Sequence, residues 1–148
     1  MMDDANRLIL FTLQGEIYAL RLGDVAEVME PPMLYPIPRA PHFFSGIMNF
    51  HGNLVSVIDL GDFLKGTLRD PQGQLLVLDT RIASLALWVD TVESVRPAEV
   101  IHEERASAEA FVEKVFKMSE REVKMLSVER LLEKLEEILT GTGRNGGR

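Results

Sequence analysis

Three histidines, two pairs of adjacent glutamates and two strand-ending aspartates are the residues of this 148-residue chain that could do chemistry. His42, His51 and His102 fall in loops or turns, and none belongs to an H-x-x-x-H or E-x-x-H spacing, so no helix face brings two metal ligands together. Glu103-Glu104 and Glu136-Glu137 sit on predicted solvent faces. A general acid–base pair needs an environment that separates the two pKa values, and a solvated charge run supplies none. Asp59 and Asp90 each end an apolar run, where an aspartate serves as a helix cap or an Asx turn. Neither a G-x-S-x-G nucleophile turn nor a G-x-x-x-x-G-K phosphate loop occurs. Gly141, Gly143 and Gly146 have the spacing G-x-G-x-x-G. That fingerprint needs a strand before it and a helix after it, whereas these glycines follow a helix in a predicted frayed tail, 141–148. The chain has no cysteine, which excludes disulfides, thiolate metal sites and cysteine nucleophiles. No catalytic residue, metal site or cofactor site is nominated, so the function expected is the presentation of surfaces.

Composition bounds the partners. Hydrophobic residues make up 46% of the chain and charged residues 26%, as in an ordinary globular protein with a core of its own. The net charge of -7 opposes binding to nucleic acid or to anionic lipid. Met1-Met2-Asp3-Asp4 is acidic where a signal peptide would be basic, and no apolar run approaches the ~20 residues that span a bilayer. A cytoplasmic location, without membrane insertion, is expected.

The elements follow from the apolar period, which is two or continuous until the last stretch. Leu8 to Leu13 and Ile17 to Leu22 read as a hairpin across Gln14-Gly15-Glu16. Five prolines between Pro31 and Pro41 predict a stiff loop or edge segment. Ser45 to Phe50 and Leu54 to Ile58 read as strands around the turn His51-Gly52-Asn53, after which Asp59 caps a short helix. A polar break from Lys65 to Gly73 is the predicted boundary. Beyond it, Leu75 to Leu78, Ile82 to Val89, Phe111 to Met118 and Val123 to Leu126 read as strands, and His102 to Glu109 as a loop. Ser127 caps a final helix whose Val128, Leu131, Leu132, Leu135, Ile138 and Leu139 form one apolar stripe.

A shift of 68 residues superimposes Phe43 on Phe111, Ile47 on Val115, Val55 on Val123, Asp59 on Ser127 and Phe63-Leu64 on Leu131-Leu132. A shift of 67 places Leu22 on Val89, Val25 on Val92 and Val28 on Val95. The fold expected is therefore mainly β: two small barrels related by internal duplication, with short helices and a C-terminal amphipathic helix. The first barrel is expected over about 8–65 and the second over about 74–127, with exchange of strands possible, followed by the helix over 128–139. Each half is marginal in size alone, so the halves are expected to share a core.

Gly46 to Gly52, read as GIMNFHG and followed by NLVSVIDL to Leu60, resembles the G-x-x-N-L-R-G-x-x-x-P-V-x-D-L signature of CheW-like domains. Tyr18-Ala-Leu, Val25-Ala-Glu-Val28 and Ile37-Pro-x-x-Pro41 resemble the lead-in, and Leu87 to Val92 resembles the family's G-L-x-V-D-x-V segment. The resemblance implies two five-stranded SH3-like barrels, and a non-enzymatic adaptor coupling the cytoplasmic tips of chemoreceptors to the regulatory domain of the histidine kinase CheA. It implies a bacterial or archaeal protein recruited to receptor arrays. The matched positions imply a receptor face of Val25, Gly46, Asn49, His51, Gly52 and Val89, with Asp90 nearby, and a kinase-coupling role for Glu27. The glycines fit close approach of a partner helix to backbone that lacks Cβ. His51 stands where the family has arginine, Ser56 where it has proline, and Ser127 where it has aspartate; Glu113-Lys114 replace a typical glycine. A divergent module of a non-flagellar chemosensory pathway is the alternative. A small β-barrel enzyme would need a pocket with a perturbed acid or base, which no residue supplies.

Overall fold

The computed structural model describes residues 6–66 and 72–141. The four N-terminal residues and most of the glycine-rich tail considered above lie outside the described residues, as does much of the polar break. The chain divides into two compact units, Met1–Val100 and Ile101–Arg148.

In the first unit, alternating apolar residues build β1 (Arg7–Leu13) and β2 (Glu16–Arg21), joined as the expected hairpin. Gln14 and Gly15 take φ of +50° and +85° at its turn. A 3-10 turn, Leu22–Asp24, leads into β3 (Val25–Met29). The proline segment then runs to β4 (Phe44–Phe50) and β5 (Asn53–Asp59). Asp59 caps α1 (Leu60–Lys65), its carboxylate accepting the Asp62 N–H at 3.1 Å. Beyond the break come β6 (Gln74–Leu78), β7 (Leu85–Val89) and β8 (Thr91–Pro97). β7 begins three residues later than the sequence pattern predicts. Asp79 accepts the Arg81 N–H on its side chain and the Ile82 N–H on its carbonyl, which holds this stretch in a turn.

Strand pairing runs across the polar break. β3, β6, β7, β5 and β4 form one sheet in that order, with β5 and β7 parallel, while β8 pairs with β1. Met48, Phe50, Val55, Val57, Leu75, Val77, Ala86 and Trp88 fill the inner side of the five-stranded sheet, with Met29 and Leu34 against them.

The second unit contains β9 (His102–Ala106), β10 (Val112–Met118), β11 (Arg121–Leu126) and α2 (Val128–Glu136). β9 corrects the expected loop. All five of its residues are exposed, so it carries neither alternation nor apolar content, and only its ladder with β10 defines it. Ser127 caps α2, accepting the Arg130 N–H at 3.2 Å. Regular α-helix stops at Glu136, three residues short of the expected end. A π turn, Glu137–Gly141, then rotates the stripe, which leaves Leu139 exposed.

The duplication is visible at bond level. β4–β5 and β10–β11 keep the same register at a shift of 68, from Phe44 opposite Ile58 and Val112 opposite Leu126 onward. Both carry a bulge at the matched place, between Phe44 and Gly46 and between Val112 and Lys114. The Phe43 carbonyl accepts the Asp59 N–H at 2.7 Å, and the Phe111 carbonyl accepts the Ser127 N–H at 2.8 Å.

Candidate partner-binding site

All eight positions nominated by the sequence lie in the first unit. Val25 and Glu27 are on β3, Gly46 and Asn49 on β4, His51 and Gly52 in the β4–β5 turn, Val89 at the end of β7, and Asp90 just beyond it. β3 and β4 are opposite edges of the five-stranded sheet. His51 Nε2 nevertheless lies 3.3 Å from Glu27 Oε1, so the sheet curls until its edges meet. The nominated kinase-coupling residue and one of the nominated receptor residues thus form a single polar pair. The side chains remain 72% and 43% exposed, which makes the pair a weak tie and leaves both available to a partner.

Turn chemistry explains two more positions. His51 and Gly52 take φ of +52° and +87°, the left-handed pair of a tight two-residue hairpin turn. The Gly52 N–H donates to Asn49 Oδ1 at 2.8 Å, so Asn49 holds the turn from the strand before it. The His51 ring leans on Phe50, centroids 4.4 Å apart.

Gly46 corrects the expected reason for its glycine. It is buried, with φ +146°, and a Cβ there would stand 2.8 Å from the Tyr35 carbonyl oxygen and 3.0 Å from Leu34 Cβ. The space left by the missing side chain is taken by the chain's own proline segment. Tyr35 and Ile47 exchange backbone hydrogen bonds of 2.9 and 2.8 Å across it. Gly52 has nothing within 4 Å of its absent Cβ, and its φ of +87° is itself the turn's requirement for glycine.

Val89 is fully buried and offers no side-chain surface. Its carbonyl lies against Gly73, where a Cβ would come within 2.0 Å of it. Asp90 closes the corner. Its N–H donates to the Thr12 carbonyl at 3.1 Å, and its carboxylate accepts the Gln14 N–H at 2.6 Å, anchoring the β1–β2 turn. Val25 is half-buried.

The remaining chemistry is structural. Each histidine faces one carboxylate: His42 with Asp62 at 2.9 Å, His51 with Glu27, and His102 with Glu103 at 3.9 Å. Among the described residues, no three His, Cys, Asp or Glu side chains group to hold a metal ion. Hydrogen bonds from the Arg81 side chain and then its backbone N–H hold the Asp79 carboxyl below its ordinary range. A depression of about 460 Å³ is lined by Glu30, Pro31, Pro32, Gln72, Gly73 and Trp88, without an acid–base pair. Among the described residues, no helix is long and apolar enough to cross a membrane.

Sequence reasoning missed Met33, Tyr35 and Leu54, which are 73%, 59% and 69% exposed. A signal was available: no Asp, Glu, Lys or Arg occurs from Phe43 to Ile58 in a chain that is 26% charged.

Comparison with known proteins agrees with this architecture. Protein FrzA of Myxococcus xanthus is 33% identical over 94 residues, covering 56% of this chain and 59% of that protein. Chemotaxis protein CheW of Thermotoga maritima is 25% identical over 87 residues, covering 57% of each. The chain thus matches less than two-thirds of the length of these relatives. The crystal structure of the scaffolding protein TtCheW from Thermoanaerobacter tengcongensis superposes with a TM-score of 0.70 at 26% identity, over 84% of this chain and 85% of that one. The mainly β fold with two sheets is that of CheW proteins, which are non-enzymatic scaffolds. The CheW-like domain model matches residues 7–136, and the chain belongs to the CheW-like domain family.

Proposed function

We propose that this chain is a cytoplasmic adaptor that couples chemoreceptors to the histidine kinase CheA. The observation that carries this reading is the family match over residues 7–136, joined to a partner-facing end that has exposed groups but no catalytic constellation. Glu27, Asn49, His51 and Gly52 offer the accessible surface of that end, and Val25 lies half-buried beside it. Gly46 holds β4 against the Tyr35 segment, whereas Val89 and Asp90 lie at the end of β7, which runs parallel to β5 away from the His51-Gly52 turn. A receptor tip, as a helical hairpin, would meet the turn and the β3 edge through apolar anchors and the Glu27–His51 pair.

The test is a pull-down of the whole chain with the regulatory domain of CheA and with a receptor cytoplasmic fragment from the same cell, followed by kinase phosphorylation with and without the chain. Binding to both, with receptor control of phosphate incorporation, is expected. Glu27→Ala and His51→Ala should weaken the complexes while unfolding at the wild-type urea concentration. Binding to neither partner refutes the reading.

A further inference from the structure

Among the described residues, six that are not glycine hold a positive φ, and five of them have a local reason. Gln14, His51, Ser119 and Glu120 sit in two-residue hairpin turns, where the ladder on either side dictates the conformation. Glu103 is paired with Lys117. The sixth, Arg39 at φ +63°, lies in neither setting. It follows Pro38 in a turn closed by the Ala40 N–H, which donates to the Ile37 carbonyl at 3.3 Å. Positive φ after the proline is the pattern of a type II turn, whose third position favours glycine, so arginine there is strained. The side chain returns nothing to the fold. Arg39 is exposed, and among the described residues it meets no carboxylate. Every lysine of the chain does meet one: Lys65, Lys114, Lys117, Lys124 and Lys134.

The surroundings of Arg39 define what it can take. From Pro31 to Ile58 it is the only Asp, Glu, Lys or Arg. Met33 and Tyr35, both more than half exposed, lie on the same segment, so the three side chains are spread along at most about 20 Å of chain. Five prolines and the two Tyr35–Ile47 hydrogen bonds hold that segment in place before any partner arrives. We propose that Met33, Tyr35 and Arg39 dock an acidic segment of a partner protein, the guanidinium taking a carboxylate and the other two side chains taking apolar anchors beside it. A lone positive charge on uncharged surface matches one carboxylate flanked by apolar groups. It does not match an anionic membrane or a nucleic acid, whose many charges are repelled by a chain of net charge -7. The backbone strain at Arg39 is retained because the side chain serves binding.

The inference rests on the adaptor reading for its probes, which are the regulatory domain of CheA and the receptor cytoplasmic fragment from the same cell. Each is titrated calorimetrically against the full chain. Arg39→Gly should weaken one of the two complexes at least ~10-fold and Arg39→Glu should weaken it further, with Arg39→Lys, which keeps the charge without the fork, between wild type and Arg39→Gly. Raising salt should weaken the wild-type complex more than that of Arg39→Gly. The same Arg39→Gly should raise the urea midpoint, because glycine relieves the turn. Arg39→Gly that binds both probes as tightly as wild type, or that lowers the urea midpoint, overturns the proposal and leaves the adaptor reading standing. Capture of wild type but not of Arg39→Gly by phosphatidylglycerol vesicles assigns the segment to a membrane and also overturns it. Wild type that binds neither probe overturns both readings.

Discussion

Gly46→Ala isolates the contact on which the shape of the candidate site depends. The new Cβ would stand 2.8 Å from the Tyr35 oxygen and 3.0 Å from Leu34 Cβ, neither of them the free end of a flexible side chain. Either the proline segment lifts or β4 distorts. Lifting removes the two Tyr35–Ile47 hydrogen bonds, worth about 1 kcal/mol each, and loosens Leu34 from the core. Alanine at φ +146° adds strain of about 1–3 kcal/mol that lifting does not relieve. The sum is a destabilisation of about 3–5 kcal/mol. Lys114, the matched residue of the second hairpin, bears a side chain beside the equivalent bulge without a positive φ. The predicted cost therefore belongs to the Tyr35 segment and the backbone it imposes, not to the bulge. Urea unfolding gives the stability, and amide exchange at Tyr35 and Ile47 reports whether the segment has lifted. A change below about 0.5 kcal/mol, with both amides as protected as in wild type, would refute the reasoning.

Two further outcomes follow from the same comparison of geometry and energy. Glu120 occupies the place of Gly52 in the second hairpin and holds φ +69°, a left-handed conformation that disfavours a side chain. Glu120→Gly should stabilise the chain by about 0.5–1 kcal/mol, and a lower urea midpoint would contradict that assignment. Asp79 has its pKa depressed by Arg81, so its contribution is present above the ordinary carboxylate value of 3.8 and fades as pH falls through the depressed one. Stability differences between wild type and Asp79→Asn should therefore shrink on acidification in that window; a difference that grows would reverse the sign of the argument.

The duplication was legible in the sequence because its signals are local and chemical. Apolar alternation, a turn and a cap recur 68 residues apart, and each maps to a bond in the structure: Asp59 and Ser127 at the caps, His51-Gly52 and Ser119-Glu120 at left-handed turns. β9 left no trace because an exposed edge strand needs only backbone hydrogen bonds, and His102-Glu103-Glu104 has the composition of a loop. The end of α2 was overextended because a 3.6-residue stripe cannot foretell a π turn. Strand partners across 65–73 were equally invisible. Any apolar strand fits any ladder by pattern alone, and register is settled only by long-range packing such as Ala86 opposite Val57 and Val77. Within the candidate site, the motif supplied residue types but not the roles that distances assign.

Those roles separate into two kinds, with different consequences for mutation. Gly46, Asn49, Gly52 and Asp90 are consumed by the chain itself, through the Tyr35 bridge, the Gly52 N–H, the left-handed turn and the Gln14 N–H; Val89 is consumed by burial. Substitution there alters the shape of the fold as well, so lost binding should travel with lost stability. Glu27 and His51 spend little on the fold, since an exposed pair contributes at most about 1 kcal/mol, and they join the two edges of one sheet. Changes there should move affinity while leaving the unfolding midpoint nearly in place. An arginine at this position could fork to a carboxylate through two nitrogens, whereas His51 meets Glu27 through Nε2 alone, so the seam in this chain rests on a single contact. The departure at His51 thus falls at the pair that joins the two sheet edges, and it changes that contact without removing the surface around it.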